Sequence, residues 1–231
     1  MRARRIKTAA VRRAILLLGS LVCLVAVVGV VTAKLYPPFK WALQDVQPLC
    51  SDVLCLHFYA RMWAIAYAIR KRGADPVYLA IGDSITEGAD LAYLCGRKPI
   101  NAGIGGATVE TFATQARRLA DLAKPDFVIV ALGGNDALRG RECGFQERMT
   151  ALLASLAPWP VLVVPLPPGP GVKDVAKFNT VIAGLDATKA KPLDRVETTD
   201  GIHLTPAAYV GWQKSIAYAL PKSFCAAQIS N

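Results

Sequence analysis

A chain of 231 residues that is 53% hydrophobic is long enough for one domain with its own core and a further segment beside it. Its net charge of +10 comes from 27 basic and 17 acidic residues, but Arg2, Arg4, Arg5, Lys7, Arg12 and Arg13 precede any acid, and without them the balance is 21 against 17. The remainder is only mildly basic, so no nucleic-acid partner is expected; such a binder would carry a basic patch interleaved with aromatics.

Residues 1–13 form the basic segment. From Ala14 to Ala33 run 20 residues without a charge, about 30 Å as a helix, which matches the hydrocarbon core of a bilayer. With cations in front of it, this segment is expected to be a transmembrane signal anchor with its N-terminus cytoplasmic and the bulk of the chain periplasmic or extracellular. The alternative is a cleaved signal peptide and a secreted product, with Val31-Thr32-Ala33 as the cleavage site. The apolar run exceeds the usual ~7 to 15 residues of a signal peptide, which favours the anchor.

Residues 34–75 read as a juxtamembrane linker, with Pro37, Pro38 and Pro48, followed by a helix from about Asp52 to Arg72. Leu56, Tyr59, Trp63, Ala66, Tyr67 and Ile69 recur there at helical spacing. Arg70, Lys71 and Arg72 complement the carbonyl end, and Gly73 is the expected C-cap. His57 falls inside this helix, in surroundings that suggest a structural or interfacial side chain.

Residues 76–231 alternate between strand and helix patterns. The apolar run Val77-Tyr78-Leu79-Ala80-Ile81 stops at Gly82-Asp83-Ser84, which would set Ser84 at the carboxyl edge of a parallel sheet, where open α/β sheets keep their chemistry. A short strand over Pro99–Ala102 leads to a glycine-rich loop, then to a helix over Thr108–Ala123 capped by Thr108 and a buried strand over Asp126–Leu132. A helix over Phe145–Leu156 and a strand over Val161–Val164 follow. Pro165 to Gly171 is too rich in proline for regular structure and carries no assignable motif. Val172 to about Ala187 is expected to be helical, Pro192–Thr199 to be a connector holding a short edge strand, and Pro206–Leu220 to be the last helix, capped by Thr205. The pattern is that of an α/β three-layer sandwich around a parallel sheet.

The chain has two histidines, His57 and His203. A serine nucleophile needs a base, an acid to orient it, and donors for the oxyanion. Asp200 stands three residues before His203 and can reach its second ring nitrogen, which makes His203 the candidate base for Ser84. With no close Cys-x-x-Cys pair and no other histidine, neither a metal site nor a cofactor is expected. Gly103-Ile104-Gly105-Gly106 lacks the third glycine of a dinucleotide fingerprint. Asp83 and Asp136 are expected to order their loops by local hydrogen bonds rather than to react.

Four blocks stand in order: Gly82-Asp83-Ser84, Asn101 to Thr108, Gly133-Gly134-Asn135-Asp136, and Asp200-Gly201-Ile202-His203. Over about residues 76 to 220 the chain resembles the SGNH, or GDSL, hydrolase family. The resemblance implies a flavodoxin-like SGNH fold preceded by the transmembrane helix, catalysis by Ser84, Asp200 and His203, and oxyanion donors from Ser84 N–H, Gly106 N–H and the Asn135 side chain. It implies a serine esterase acting on a small-molecule, lipid or glycan acyl ester, with acetyl among the candidate acyl groups. Transfer of the acyl group to a cell-envelope glycan by the same residues, or a noncatalytic glycan-binding module, are the alternatives. If the sheet follows the family's order, the strands ending at Gly82 and Gly133 are neighbours, and a Cys95–Cys143 disulfide is expected between the loops that follow them. Cys50 and Cys55 would form a second bridge, Cys225 would stay free, and Cys23 would be a small side chain in the apolar segment.

Overall fold

Helix α1 (Val53–Arg72) opens where Asp52, in extended conformation, accepts the Cys55 N–H at 2.8 Å, and closes at Gly73, whose φ of +77° suits glycine. This computed structural model describes residues 52–73, 77–91, 94 and 97–222. The basic segment, the expected anchor over 14–33 and most of the linker lie outside the described residues. Among the described residues no helix is long and apolar enough to cross a membrane.

Five parallel strands form one sheet in the order β2-β1-β3-β4-β5: β1 (Tyr78–Gly82), β2 (Ile100–Gly103), β3 (Phe127–Ala131), β4 (Val161–Val163) and β5 (Thr188–Lys189). Every residue of β1 is buried, as a strand covered on both faces requires. Alternate side chains serve the two faces. Tyr78 and Ala80, Phe127 and Ile129, and Leu162 pack with Trp212, Ile216 and Leu220 on one face, which helix α8 (Pro206–Ala219) covers. The other face carries α1, α4 (Gln115–Ala123), α6 (Phe145–Ser155) and α7 (Val175–Gly184), packed side by side.

The helix expected over Thr108–Ala123 is two helices, α3 (Val109–Phe112) and α4, with the break at Ala113-Thr114. Thr108 caps α3 by accepting the Thr111 N–H, while the Thr111 hydroxyl accepts the Thr108 N–H, a capping box built with threonine in place of glutamate. The edge strand is Thr188–Lys189, earlier than the expected 192–199, where the chain makes only an isolated antiparallel bridge between Thr198 and Leu204. Two short helices escaped the sequence reading: α2 (Ser84–Gly88) and α5 (Gly134–Leu138).

Cys143 is a free, exposed thiol, so the expected Cys95–Cys143 bridge is not formed. The strands β1 and β3 are neighbours, but the chain leaving β1 crosses to β2 on the other side and starts that strand from its amino end. Leu94 and Arg97 form a bridge ahead of β2, and Arg97 pairs at 3.0 Å with Asp126, just before β3. The Leu94–Arg97 bridge therefore belongs to the amino edge of the sheet, and Cys143, just before α6, follows the carboxyl-edge loop. Cys55 is disulfide-bonded; Cys50, Cys95 and Cys225 lie outside the described residues.

Candidate active site

The carboxyl ends of the first three strands line up in register, Gly82 beside Gly103 on one side and beside Ala131 on the other. Helix α2 starts immediately past Gly82 and presses on this edge. A Cβ on Gly82 would stand 1.9 Å from Thr86 Oγ1, and one on Gly103 would stand 2.1 Å from the Glu87 nitrogen. Glycine at both positions lets the helix that carries Ser84 sit directly on the strand ends.

Ser84 is the first residue of α2, so its N–H is among the donors a helix leaves without an intrahelical partner. Its Oγ lies 2.9 Å from His203 Nε2, across 119 residues of sequence. On the other side of the ring, His203 Nδ1 lies 2.6 Å from Asp200 Oδ2. Asp200 Oδ1 also accepts the N–H groups of His203, at 2.8 Å, and Ile202, at 3.0 Å. The His203 N–H, its ring and the Ile202 N–H together hold the Asp200 carboxyl far below the usual carboxylate range. A carboxylate on Nδ1 fixes the tautomer with the proton there, leaving Nε2 to accept the Ser84 hydroxyl proton.

Asn135 sits in α5, where its Nδ2 donates to Ala107 O at 3.0 Å and keeps a second N–H in hand. Gly106, in the left-handed region at φ +76°, has its carbonyl held at 3.0 Å by Arg139 Nη2. The Gly106-Ala107 stretch is thereby tied at two points to the segment carrying Asn135. A pocket of about 20 Å³ opens beside Ser84 and Asn135, walled by Leu138, Leu166, Pro167, Val172 and Ile202.

Two buried acids support the edge. Asp83 Oδ1 accepts the Ile85 N–H at 3.0 Å, and burial pushes its carboxyl up to about 6 even though it faces His203 and backbone N–H groups. Asp136 Oδ2 accepts the Val109 N–H at 2.9 Å, and burial raises its pKa as well. The expected role of Asp136 was local ordering; the bond it makes is long-range and ties α5 to α3. Among the described residues no cluster of three or more His, Cys, Asp or Glu side chains could hold a metal.

Two features of the site were missed. The proline-rich stretch after Pro165 is a built wall: Asn179 clamps Leu166 through both its N–H, at 2.8 Å, and its carbonyl, at 3.0 Å, and Gly171 N–H donates to Gly201 O at 2.8 Å. It thus braces the turn carrying Asp200 and His203. The second is Glu87, on α2, which meets His57 and Arg61 from α1 beside the glycine-rich loop. For the wall, the proline density was a signal; for Glu87, nothing in the sequence was.

Residues 80–210 match the model of the GDSL-like lipase/acylhydrolase family. The chain belongs to that family. No curated protein sequence matches it. Among solved structures, one provisionally described as a platelet activating factor from Streptococcus pneumonia superposes with a TM-score of 0.59 at 19% identity, covering 72% of this chain and 94% of that one. A lipase/acylhydrolase from Enterococcus faecalis gives 0.54 at 21% identity over 62% and 94%. A carbohydrate esterase family 3 protein from Talaromyces cellulolyticus gives 0.52 at 16% identity over 65% and 98%. The likeness to these three is one of fold: a three-layer α/β SGNH hydrolase.

Proposed function

We propose that this acylhydrolase is a serine esterase for short acyl esters, with Ser84 as nucleophile, His203 as general base and acid, and Asp200 as the group that orients it. The observation that carries the reading is the unbroken chain of contacts from Ser84 Oγ through the His203 ring to Asp200. As Ser84 Oγ bonds to the acyl carbon, its proton passes to His203 Nε2 and the carbonyl π electrons move to oxygen. The Ser84 and Gly106 N–H groups and the Asn135 amide are the donors for that oxyanion; loss of one such donor typically costs about 3 to 4 kcal/mol of transition-state stabilisation. Collapse breaks the bond to the alcohol, which leaves with the proton from Nε2. Water then attacks the acyl-enzyme by the same steps, giving the acid and restoring Ser84.

Two observations bear on the substrate and the acceptor. The pocket of about 20 Å³ beside Ser84 has room for a methyl-sized acyl substituent, and its wall is clamped at Leu166 and Gly171. The His203 and Asp200 side chains are 43% and 51% exposed, an opening by which an acceptor, water in the simplest case, can approach Ser84. A carbohydrate esterase and an acetyl esterase share the fold, which makes an acetylated glycan a reasonable first substrate. The uncharged run Ala14–Ala33 behind six cations supports a membrane-anchored enzyme with its active site outside the cytoplasm.

Turnover of aryl esters from acetate to octanoate, with Ser84→Ala as control, tests the reading. The expected result is a preference for acetate and a loss of roughly 10³-fold or more in kcat for the variant. Activity retained in Ser84→Ala would remove the serine from the mechanism, and a preference for octanoate would remove the short-acyl assignment alone.

A further inference from the structure

The oxyanion loop has a sequence problem. Gly103-Ile104-Gly105-Gly106 is the stretch that must present the Gly106 N–H at one fixed point, yet three of its four residues are glycines, the most conformationally permissive residue and the costliest to immobilise. Its backbone is held by charged side chains from elsewhere. Arg61, on α1, donates to Gly103 O through Nε at 3.0 Å and Nη2 at 2.8 Å. Glu87 Oε2 accepts the Gly105 N–H at 2.5 Å and the His57 Nε2–H at 2.9 Å, and Arg61 Nε lies 3.1 Å from Glu87 Oε1. A Cβ on Gly105 would stand 3.2 Å from Glu87 Oε2 and 3.4 Å from His57 Nε2, so a larger residue there would crowd Glu87 by a few tenths of an ångström. The pair is half-shielded: the side chains of Glu87, Arg61 and His57 are 22%, 24% and 38% exposed, which preserves more of the interaction than a fully solvated surface would.

We propose that α1 braces the oxyanion loop, with Glu87 as a positioning residue that acts through the Gly105 N–H and with Arg61 and His57 holding Glu87 in place. The role rests on the esterase reading above in one respect only, that Gly106 donates to an oxyanion. Helix α1 lies before residues 80–210, the segment matched by the family model, whereas Glu87 lies within it. The Gly105–Gly106 peptide plane determines where the Gly106 N–H points. Bonds at Gly103 O and Gly105 N on one side, and Arg139 to Gly106 O on the other, leave that plane little freedom. A donor that is already aimed needs no reorganisation when charge develops, which is what makes such donors effective.

The test compares Glu87→Gln, Arg61→Met and the double variant with the wild type on an aryl acetate. Glutamine keeps the shape of the side chain but weakens the bonds to Arg61, His57 and Gly105 N–H together. The expected result is a fall in kcat of roughly 10- to 100-fold, less than the loss of a whole oxyanion donor, with KM changed less than about twofold. Affinity for a boronic acid that forms a tetrahedral adduct on Ser84 falls by a similar factor, while thermal midpoints stay close. The double variant costs little more than either single one, and Arg61→Lys recovers part of the loss. Hydrogen exchange at residues 103–107 speeds up in the variants with or without turnover, so the brace is tested even where ester hydrolysis is absent in the wild type. Unchanged kcat, a rise in KM alone, additive losses, or unchanged exchange at 103–107 overturns the proposal, whereas an inactive wild type overturns the esterase reading.

Discussion

Asp83 offers a measurement of what the seat of Ser84 costs in stability. Its carboxyl is buried at 5% exposure, between β1 and the start of α2, and burial raises it from an ordinary 3.8 to about 6. At about 1.4 kcal/mol for each tenfold change in proton affinity, that rise corresponds to about 3 kcal/mol. The sign follows from which state holds the proton. Below about pH 4 both states are protonated and the group is neutral in its effect. Between about 4 and 6 the unfolded chain ionises first, so stability falls as pH rises; above about 6 both are ionised and the full cost remains. Asp83→Asn keeps an oxygen to accept the Ile85 N–H and removes the ionisation. The stability of the variant relative to wild type should therefore rise by up to about 3 kcal/mol between pH 4 and pH 7, whatever constant offset the new amide introduces. Urea denaturation at pH 4, 5, 6 and 7 measures this difference. A constant difference across that range would refute the argument that Asp83 is folded into a site that resists its charge.

Two further changes test the architecture around that seat. Gly103→Ala places a Cβ 2.1 Å from the Glu87 nitrogen and 2.6 Å from the Thr86 carbonyl carbon, which are backbone atoms, so α2 must move; a cost of about 3 kcal/mol in denaturation and a loss of turnover are expected, against an unperturbed melt if the approach is not tight. Cys143, free and exposed, should react with a maleimide without prior reduction and without loss of turnover. A nonreducing peptide map that recovers Cys143 joined to Cys95 would contradict the free state of Cys143 and the edge assignment of the Leu94–Arg97 bridge.

What could be read from the sequence was what lay in one contiguous stretch. The run ending in Gly82-Asp83-Ser84 announces a strand and its edge, and Asp200 to His203 is a loop short enough to close on itself. Helices α2 and α5, five residues each, are shorter than two turns and give no periodicity to detect. The break between α3 and α4 leaves the apolar spacing unbroken, with Phe112, Ala116, Leu119 and Ala120 all buried, so only the backbone at Ala113-Thr114 reveals it. Strand β5 is two residues long, with Thr188 exposed, and carries no pattern at all. The Cys95–Cys143 expectation treated neighbouring strands as if their following loops must meet, although a crossover to a third strand carries the chain back to the opposite edge. Glu87 was invisible because its partners stand 18 and 30 residues away. His57 looked structural in isolation, and only its distance to Glu87 gives it a specific task.

The site is held from two directions, and neither is the sheet alone. Ser84 is fixed by close approach, since Gly82 and Gly103 let α2 rest on the strand ends and Tyr209 Oη, on α8, donates to Ile85 O at 2.9 Å. The turn that carries His203 is braced by the proline-rich wall. Gly171 N–H reaches Gly201 O, and a Cβ at Gly169 would come within 2.6 Å of that same oxygen. Gly201 itself sits at φ +89°, a turn that a bulkier residue would strain. The wall is rigid because its prolines fix their φ angles and Asn179 holds Leu166 at both backbone atoms. Leu166 and Pro167 also line the pocket beside Ser84, so the same loop walls that pocket and braces the turn that carries His203.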